Sequence, residues 1–255
     1  MGSRAAKNAV YDLSIVIPAF NEARRIGRTL DELAQYLAQS PDVKDLAVEV
    51  VVVAADTTDA THTIVAAKRA KFRALRLLKP GPRVGKGRDV QYGVLRASGR
   101  AIIFMDADLA TPLQHLGTFF AHHRQGHDVV IATRNLHKHH PNFWRRLVSN
   151  GGNLLFRIAS GVWVEDSQCG FKLFSHQAAH ACFSRLTIMG WGFDMEVLAI
   201  AKAQGLSIKT HRVDDWVSVP GSTFNRGMIK NSFVSLRELA YIFWNRLRGV
   251  YHGQT

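Results

Sequence analysis

The sequence predicts an α/β fold, in which a mostly parallel central sheet carries helices on both faces. Over the first 135 residues, short apolar, β-branched stretches alternate with stretches of helical periodicity, which is the pattern of βαβ units. The chain has 255 residues, of which 47% are hydrophobic, enough for one domain with a sizeable core. No internal repeat or linker-like run of Pro, Gly and Ser occurs, so we expect a single domain that ends in a C-terminal helix.

Each predicted element follows from the spacing of apolar residues. The predicted strands cover residues 13–17, 48–53, 75–78, 101–105 and 129–132. The predicted helices cover residues 22–37, 61–74, 85–95 and 113–124, and the basic segment 137–149 is predicted to be a long loop followed by a helix. Ligands of such sheets bind beyond the carboxyl ends of the strands, so we expect the site at this edge.

Charge and cysteine content narrow the class of protein. There are 33 Lys and Arg against 20 Asp and Glu, a formal charge of +13, which implies an anionic partner such as nucleic acid, an acidic membrane surface or a phosphorylated substrate. Cys169 and Cys182 are too few for a disulfide framework, so we expect reduced thiols in a cytoplasmic protein. No apolar run approaches the ~20 residues of a membrane-spanning helix. We therefore expect a soluble protein or one peripheral on the cytoplasmic face of a membrane.

Two carboxylates follow the fourth predicted strand in the sequence Asp106-Ala-Asp108. On a chain leaving a strand, they can converge on one divalent cation or divide between a cation and a ribose. Oxygen ligands of this kind suit Mg²⁺ or Mn²⁺. A solvated turn is the alternative, because Asp is common in turns.

Three further clusters are predicted near the same edge. Pro18-Ala-Phe-Asn-Glu22 follows the first strand, where Asn21 is expected to cap the next helix. Asp56-Thr-Thr-Asp59 follows the second strand and has the same capping alternative. Gly85-Lys86-Gly87 opens a predicted helix and can hold a phosphate through its backbone N–H groups, with Lys86 adding charge.

In order and spacing these four clusters resemble the family 2 glycosyltransferases, whose nucleotide-sugar-binding α/β fold is called GT-A. Ala-Thr-Arg134, Arg145-Arg146, Asp166-Ser-Gln-Cys-Gly-Phe-Lys-Leu-Phe174 and Trp-Gly-Phe-Asp-Met-Glu196 look like the dolichyl-phosphate glucosyltransferase branch of that family. That branch transfers glucose from UDP-glucose to a polyprenyl phosphate with inversion. The resemblance covers about residues 13–222 and implies a GT-A domain at 11–222 with Mg²⁺ or Mn²⁺ as cofactor.

The resemblance also implies a role for each matching residue. Pro18, Glu22 and Asp56 are expected to line the uridine pocket, and Lys86 to lie near the base or the diphosphate. Asp106 is expected to contact the ribose or the metal, and Asp108 to ligate the metal. Arg134, with Arg145 or Arg146, is expected to hold the diphosphate or the acceptor phosphate. Gln168, Asp194 and Glu196 are expected to face the sugar and the reacting centre.

Some of these roles have structural alternatives, and one turn departs from the family. Asp166 and Asp194 can also cap helices, and Arg145 or Arg146 can belong to a solvated helix face. Where the family has Asp-Asp-Gly-Ser, this chain has Ala54-Ala-Asp56-Thr57, so the turn around the base is expected to differ.

Residues 223–255 are predicted to form a basic amphipathic helix. Its apolar residues recur at steps of three and four with basic residues nearby: Ile229, Phe233, Leu236, Ala240, Phe243, Trp244, Leu247 and Tyr251, with Lys230, Arg237, Arg246 and Arg248. Such a helix can lie on an anionic membrane surface. Its apolar stripe can equally close the core or form a dimer interface.

The sequence thus favours an inverting hexosyltransferase that acts on a nucleotide sugar and a polyprenyl phosphate. The same chemistry on a soluble small-molecule or saccharide acceptor, or with GDP-mannose as donor, is the alternative. A nucleic-acid-binding protein is disfavoured because the cations are dispersed and no recognised binding motif is present.

Overall fold

A computed structural model of the chain describes residues 10–134, 143–217 and 228–252. Its strands are β1 (Tyr11–Pro18), β2 (Val48–Val53), β3 (Leu75–Leu78), β4 (Gly99–Met105), β5 (Val129–Arg134), β6 (Phe171–Ser175) and β7 (Ile208–Val213). Its helices are α1 (Ile26–Gln39), α2 (Thr61–Ala67), α3 (Lys86–Val94), α4 (His115–Arg124), α5 (Phe143–Ser160), α6 (His176–Phe183), α7 (Phe193–Ala203) and α8 (Met228–Leu247). Among the described helices, none is both long and apolar enough to cross a bilayer.

The strands form one seven-stranded sheet in the order β3-β2-β1-β4-β6-β5-β7. The pairs β1–β2, β2–β3, β1–β4 and β5–β7 are parallel. Strand β6 is antiparallel to both of its neighbours, β4 and β5. The predicted α/β fold with a mostly parallel sheet is confirmed, and all five predicted strands are present.

The reversed direction of β6 decides what lies at the carboxyl edge. Phe171, where β6 begins, pairs with Met105, where β4 ends. The amide of Asp106 donates a hydrogen bond to the carbonyl of Gly170 at 3.2 Å. The segment before β6 therefore reaches the edge at which the parallel strands end.

Apolar residues alternate along the strands and fill a core on each side of the sheet. On one side, residues such as Ile15 and Ile103 pack with α1, α2 and α4. On the other side, residues such as Val16 and Phe104 pack with α3 and with α5 to α8. Helices thus cover both faces, as predicted. The predicted domain boundary between residues 222 and 223 lies outside the described residues.

Two local predictions are wrong. The helix predicted at 61–74 ends at Ala67 and continues as a short 3₁₀ turn, Arg69–Lys71, because this turn lets both Lys68 and Lys71 reach Asp31 at 2.7 Å. Asn21 does not cap α1, which has no side-chain cap. With a left-handed φ of 54°, Asn21 instead accepts a hydrogen bond from the amide of Thr58 at 2.9 Å and joins two loops.

Candidate active site

The carboxyl edge gathers side chains from six segments of the chain. Glu22 follows β1, Asp106 and Asp108 follow β4, and Arg134 ends β5. Asp166 and Gln168 precede β6, Lys86 begins α3, and Asp194 lies in the first turn of α7. In an open α/β sheet this crevice is the usual ligand site. The predicted location of the site therefore agrees with the fold.

Lys86 and Asp106 form an ion pair in this crevice. The ammonium of Lys86 lies 2.5 Å from Oδ1 of Asp106, and the lysine side chain is only 11% exposed. Burial opposes the charge of Lys86, but the carboxylates of Asp106 and Asp194 raise its pKa, so it remains a cation. The ammonium also lies 5.3 Å from the ring centre of Trp191. Lys86 thus supplies a fixed positive charge beside the acidic pair.

Three carboxylates share this small region and repel one another. Burial, followed by the charge of Asp106, raises the pKa of Asp108. Burial also raises the pKa of Glu22, with Asp108 and Asp106 adding to the shift and Arg25 opposing it. Anionic groups held together in this way attract a cation, which relieves their repulsion.

Asp108 is the carboxylate best placed to be a metal ligand, because Lys86 already neutralises Asp106. Asp108 accepts a hydrogen bond from the amide of Ala110 at 3.1 Å. Within the described ranges, no three His, Cys, Asp or Glu side chains form a ready metal site. A cation held by one or two carboxylates here would take its remaining ligands from water and phosphate, which is how Mg²⁺ commonly binds.

Arg134 is fixed by a buried carboxylate. Its Nε and Nη2 donate to the two oxygens of Asp166 at 2.5 and 3.0 Å, and its guanidinium lies 5.2 Å from the ring centre of Trp216. Asp166 also accepts from the amide of Gln168 at 3.0 Å. Although burial opposes it, the guanidinium keeps the pKa of Asp166 below its usual range. The pair therefore presents a rigid cation at the edge, and Asp166 does not cap a helix.

Lys172 is a functional candidate that the sequence analysis did not assign. It is fully buried in β6, and its ammonium lies 2.6 Å from the carbonyl of Cys169 and 2.5 Å from the carboxylate of Asp194. Burial raises the pKa of Asp194, while Lys172 and Lys86 oppose that shift. The available signal was a charged residue inside the apolar stretch Phe-Lys-Leu-Phe.

Two of the amides at the start of α3, where the sequence predicts a phosphate held by backbone N–H groups, are hydrogen-bonded within the protein. The amide of Gly87 donates to the carbonyl of Gly190, and that of Arg88 donates to the carbonyl of Met189, both at 3.2 Å. The loop that contains these carbonyls packs so closely on Gly85 and Gly87 that neither position has room for a Cβ atom. The glycines serve this contact, and Lys86 contributes through its side chain.

The residues expected to line the base pocket lie on two joined loops. Pro18 ends β1 and is half-buried, whereas Asp56 is exposed after β2. The amide of Asp56 donates to the carbonyl of Gly81 at 2.9 Å, which ties this loop to the one after β3. Asp56 thus faces solvent at the end of the crevice formed by the first three strands.

Glu196, another predicted site residue, does not join the cluster around Lys86. Its carboxylate accepts hydrogen bonds from Thr187, Ile188 and Tyr251, within the protein core. The side chains of Arg145 and Arg146 lie outside the described part of the structure.

Comparisons with known proteins relate this chain to a family of transferases. Residues 14–183 match the model of the family described as "Glycosyl transferase family 2". The chain is similar to dolichyl-phosphate beta-glucosyltransferase ALG5D of Trichomonas vaginalis, at 31% identity over 245 residues, covering 91% of this chain and 73% of the relative. The dolichyl-phosphate beta-glucosyltransferase of Drosophila melanogaster is 31% identical over 231 residues, covering 83% of this chain and 68% of the relative.

The fold is also similar to solved structures. Glucosyl-3-phosphoglycerate synthase from Mycobacterium tuberculosis, in complex with Mn²⁺, UDP and phosphoglyceric acid, superimposes with a TM-score of 0.61. The two chains are 21% identical, and the match covers 98% of this chain and 82% of the synthase. At this identity the likeness establishes the shared fold.

Proposed function

The chain belongs to glycosyl transferase family 2, and from its site we propose that it transfers glucose from UDP-glucose to a polyprenyl phosphate with inversion. The observation that carries the proposal is the cluster of Glu22, Asp106, Asp108 and Lys86 at the carboxyl edge. The names of the relatives at about 30% identity support glucose and dolichyl phosphate as the transferred group and the acceptor.

We propose that Asp108, with Asp106 beside it, holds Mg²⁺ or Mn²⁺. The fit rests on the mutual repulsion of Glu22, Asp106 and Asp108, which a divalent cation relieves, and on the oxygen-only donor set. When bound, the metal neutralises the charge that develops on the leaving diphosphate. Lys86 adds a second, fixed positive charge on the same side.

The nucleotide end of the donor is assigned to the loops after β1 and β2. The carboxylate of Asp56 accepts a hydrogen bond from N3–H of uracil, and Pro18 and Glu22 line the pocket on the β1 side. Asp56 remains exposed and its loop is held by the bond to Gly81, so it is accessible to a base. Asp56 is the one carboxylate proposed to contact the base in this turn, where Ala54 and Ala55 precede it.

The acceptor end is assigned to Arg134, with Arg145 or Arg146 as a further cation, and to Gln168. Arginine suits a phosphate because its planar fork donates two hydrogen bonds, and Asp166 fixes the orientation of Arg134. A phosphate monoester is largely ionised near neutral pH, so it needs no strong general base. Its oxygen attacks the anomeric carbon as the bond from that carbon to the diphosphate breaks, which inverts the configuration.

Asp194 is proposed to act with Lys172 at the floor of the reacting centre. Asp194 pairs with Lys172 and is close enough to Lys86 for its charge to raise the pKa of that ammonium. Because both groups are buried, they hold a preorganised field around the transferred sugar without reorienting during the reaction.

The outer face of α8 is proposed to bring the enzyme to an anionic membrane. Arg237, Tyr241 and Trp244 lie at helical spacing on α8, Arg248 lies in the turn directly after it, and all four are exposed. The guanidinium of Arg248 lies 5.8 Å from the ring centre of Trp244. Tryptophan and basic residues are both favoured where a protein meets a membrane surface. The opposite face of α8 packs on the core through Leu239 and Ile242, and Tyr251, in the segment after the helix, is buried in the same core.

An acceptor and donor panel tests the proposal. The protein is incubated with UDP-glucose or GDP-mannose, with polyprenyl phosphate in anionic vesicles or with soluble acceptors, and with Mn²⁺ or EDTA. We expect glucosyl phosphoryl polyprenol from UDP-glucose in the presence of the metal, detected by mass spectrometry. Faster transfer from GDP-mannose would refute the donor assignment, and transfer only to soluble acceptors would refute the lipid assignment.

A further inference from the structure

The carboxylate of Glu196 connects segments that are far apart in the sequence. One oxygen accepts hydrogen bonds from the amides of Thr187 and Ile188 at 2.9 and 2.6 Å. The other oxygen accepts from the Thr187 hydroxyl at 2.6 Å and from the phenol of Tyr251 at 3.0 Å. Protein donors thus occupy all four acceptor positions of this buried carboxylate.

Tyr251 anchors the C-terminal segment at Glu196. Its side chain is fully buried, and its phenol also accepts a hydrogen bond from the Asn245 amide at 3.3 Å. The side-chain amide of Gln204 donates to the carbonyl of Tyr251. Burial and the neighbouring Glu196 raise the pKa of Tyr251, so the phenol keeps its proton and remains a donor.

The loop that Glu196 holds, residues 187–192, supports the start of α3. Its carbonyls at Met189 and Gly190 accept hydrogen bonds from the amides of Arg88 and Gly87 in the first turn of α3. Lys86 lies between Gly85 and Gly87, the two glycines that pack on this loop. Trp191 from the same loop lies against the Lys86 ammonium. The position of Lys86 therefore depends on where this loop is held.

Helix α8 contacts the same loop at two further points. The Thr187 hydroxyl, whose proton goes to Glu196, lies within hydrogen-bond distance of the phenol oxygen of Tyr241 at 3.3 Å. The carboxylate of Glu238 lies against the backbone of Gly192 so closely that a Cβ atom there would overlap it. Loop 187–192 is thus held from both α7 and α8.

We infer that Glu196 and Tyr251 are positioning residues for Lys86: by clamping loop 187–192 against α3, they fix where the Lys86 ammonium meets the donor diphosphate. The inference rests on the proposed function only for the identity of that ligand. It makes the C-terminal helix part of the donor site, in addition to its proposed place at the membrane.

A double-mutant cycle on nucleotide binding tests this inference, with calorimetry of UDP in the presence of Mn²⁺. Tyr251→Phe removes one hydrogen bond and keeps the ring, and Lys86→Met removes the ammonium. We expect Tyr251→Phe to weaken binding about fivefold (~1 kcal/mol) when Lys86 is present and less than about twofold in the Lys86→Met background. Tyr36→Phe, the same change on the opposite face of the sheet, is the matched control and should bind like the wild type.

The outcomes separate this inference from the proposed function. Equal weakening in both backgrounds would show that the effect of Tyr251 on binding does not pass through Lys86, and wild-type binding by Tyr251→Phe would leave the clamp a role in stability alone. Either result would overturn the inference. If Tyr251→Phe does not fold, Thr187→Val removes another bond to Glu196 at constant size and is expected to give the same coupling. If the wild type binds GDP and not UDP, the proposed donor is refuted and the cycle is run with GDP.

Discussion

Replacing Lys172 by methionine should destabilise the protein strongly. The ammonium of Lys172 is fully buried and lies 2.5 Å from Asp194, whose side chain is 5% exposed. The substitution leaves that carboxylate buried without its cation. Removing one partner of a buried pair typically costs about 3–5 kcal/mol, because the remaining charge is uncompensated.

The pH dependence of this loss has a definite sign. Burial already raises the pKa of Asp194 in the folded protein, and losing Lys172 raises it further. Because the folded state then binds a proton that the unfolded state releases, stability falls as the pH rises from the ordinary carboxyl range through the raised pKa. The variant should therefore lose more stability at pH 7.5 than at pH 5.

Urea unfolding monitored by circular dichroism measures the free energy of unfolding of each variant. Lys71→Met is the matched control, since Lys71 pairs with Asp31 on the surface at 2.7 Å, and it should cost at most about 1 kcal/mol. Lys172→Met with Asp194→Leu should recover much of the loss, because no unpaired charge remains. If Lys172→Met costs no more than Lys71→Met, or costs the same at both pH values, the reasoning is refuted.

Four further predictions concern the site and the surface. Burial and mutual repulsion raise the pKa values of Glu22 and Asp108, so Mn²⁺ must compete with protons at these carboxylates. The increase in melting temperature that Mn²⁺ causes should therefore be larger at pH 7.5 than at pH 5, and it should disappear in Asp108→Asn. Gly170→Ala places a Cβ atom against the Asp106 carboxylate and should lower UDP affinity, whereas Gly151→Ala, with open space around it, should not; equal affinities would contradict the packing argument. Arg134→Lys should lower kcat/KM for the lipid acceptor about 10–100-fold through the loss of charge-assisted hydrogen bonds while leaving the UDP Kd unchanged. Arg237→Glu with Arg248→Glu should weaken binding to anionic vesicles, measured by sedimentation, at least ~30-fold, at ~1 kcal/mol per cation. The control pair Arg100→Glu with Arg124→Glu should bind vesicles like the wild type. Arg246 is not used because it donates to the carbonyls of Ile158 and Ala159.

The strands that the sequence predicted are those with continuous apolar runs. Strands β1, β2, β4 and β5 are largely buried on both faces, so their sequences are apolar and rich in β-branched residues. Strand β3 is shorter and mostly half-buried, but three of its four residues are leucine. Strand β7 has four consecutive polar residues in the sequence Ile-Lys-Thr-His-Arg-Val, and most of its residues are half-buried or exposed. Strand β6 has a lysine at its second position. Neither pattern signals a strand without knowledge of what packs beside it.

The site residues were predictable where a functional side chain comes directly after a strand, and less so where the site depends on contacts between segments distant in the sequence. Asp106 and Asp108 could be placed because they end an apolar strand. The amides of Gly87 and Arg88 could not, because their partners lie about a hundred residues further along the chain. Asp194 and Glu196 are two residues apart on one helix and so point to different sides, which explains why Asp194 joins the crevice and Glu196 holds loop 187–192.

We propose above that the carboxyl edge binds UDP-glucose together with a divalent cation. A crystal structure with UDP and Mn²⁺, in which anomalous scattering locates the metal, tests this proposal. We expect Mn²⁺ in contact with the Asp108 carboxylate and the two phosphates, with the uracil beside Asp56 and the Lys86 ammonium near the diphosphate. UDP bound away from this edge, or bound here with the metal separated from both Asp106 and Asp108, would contradict it.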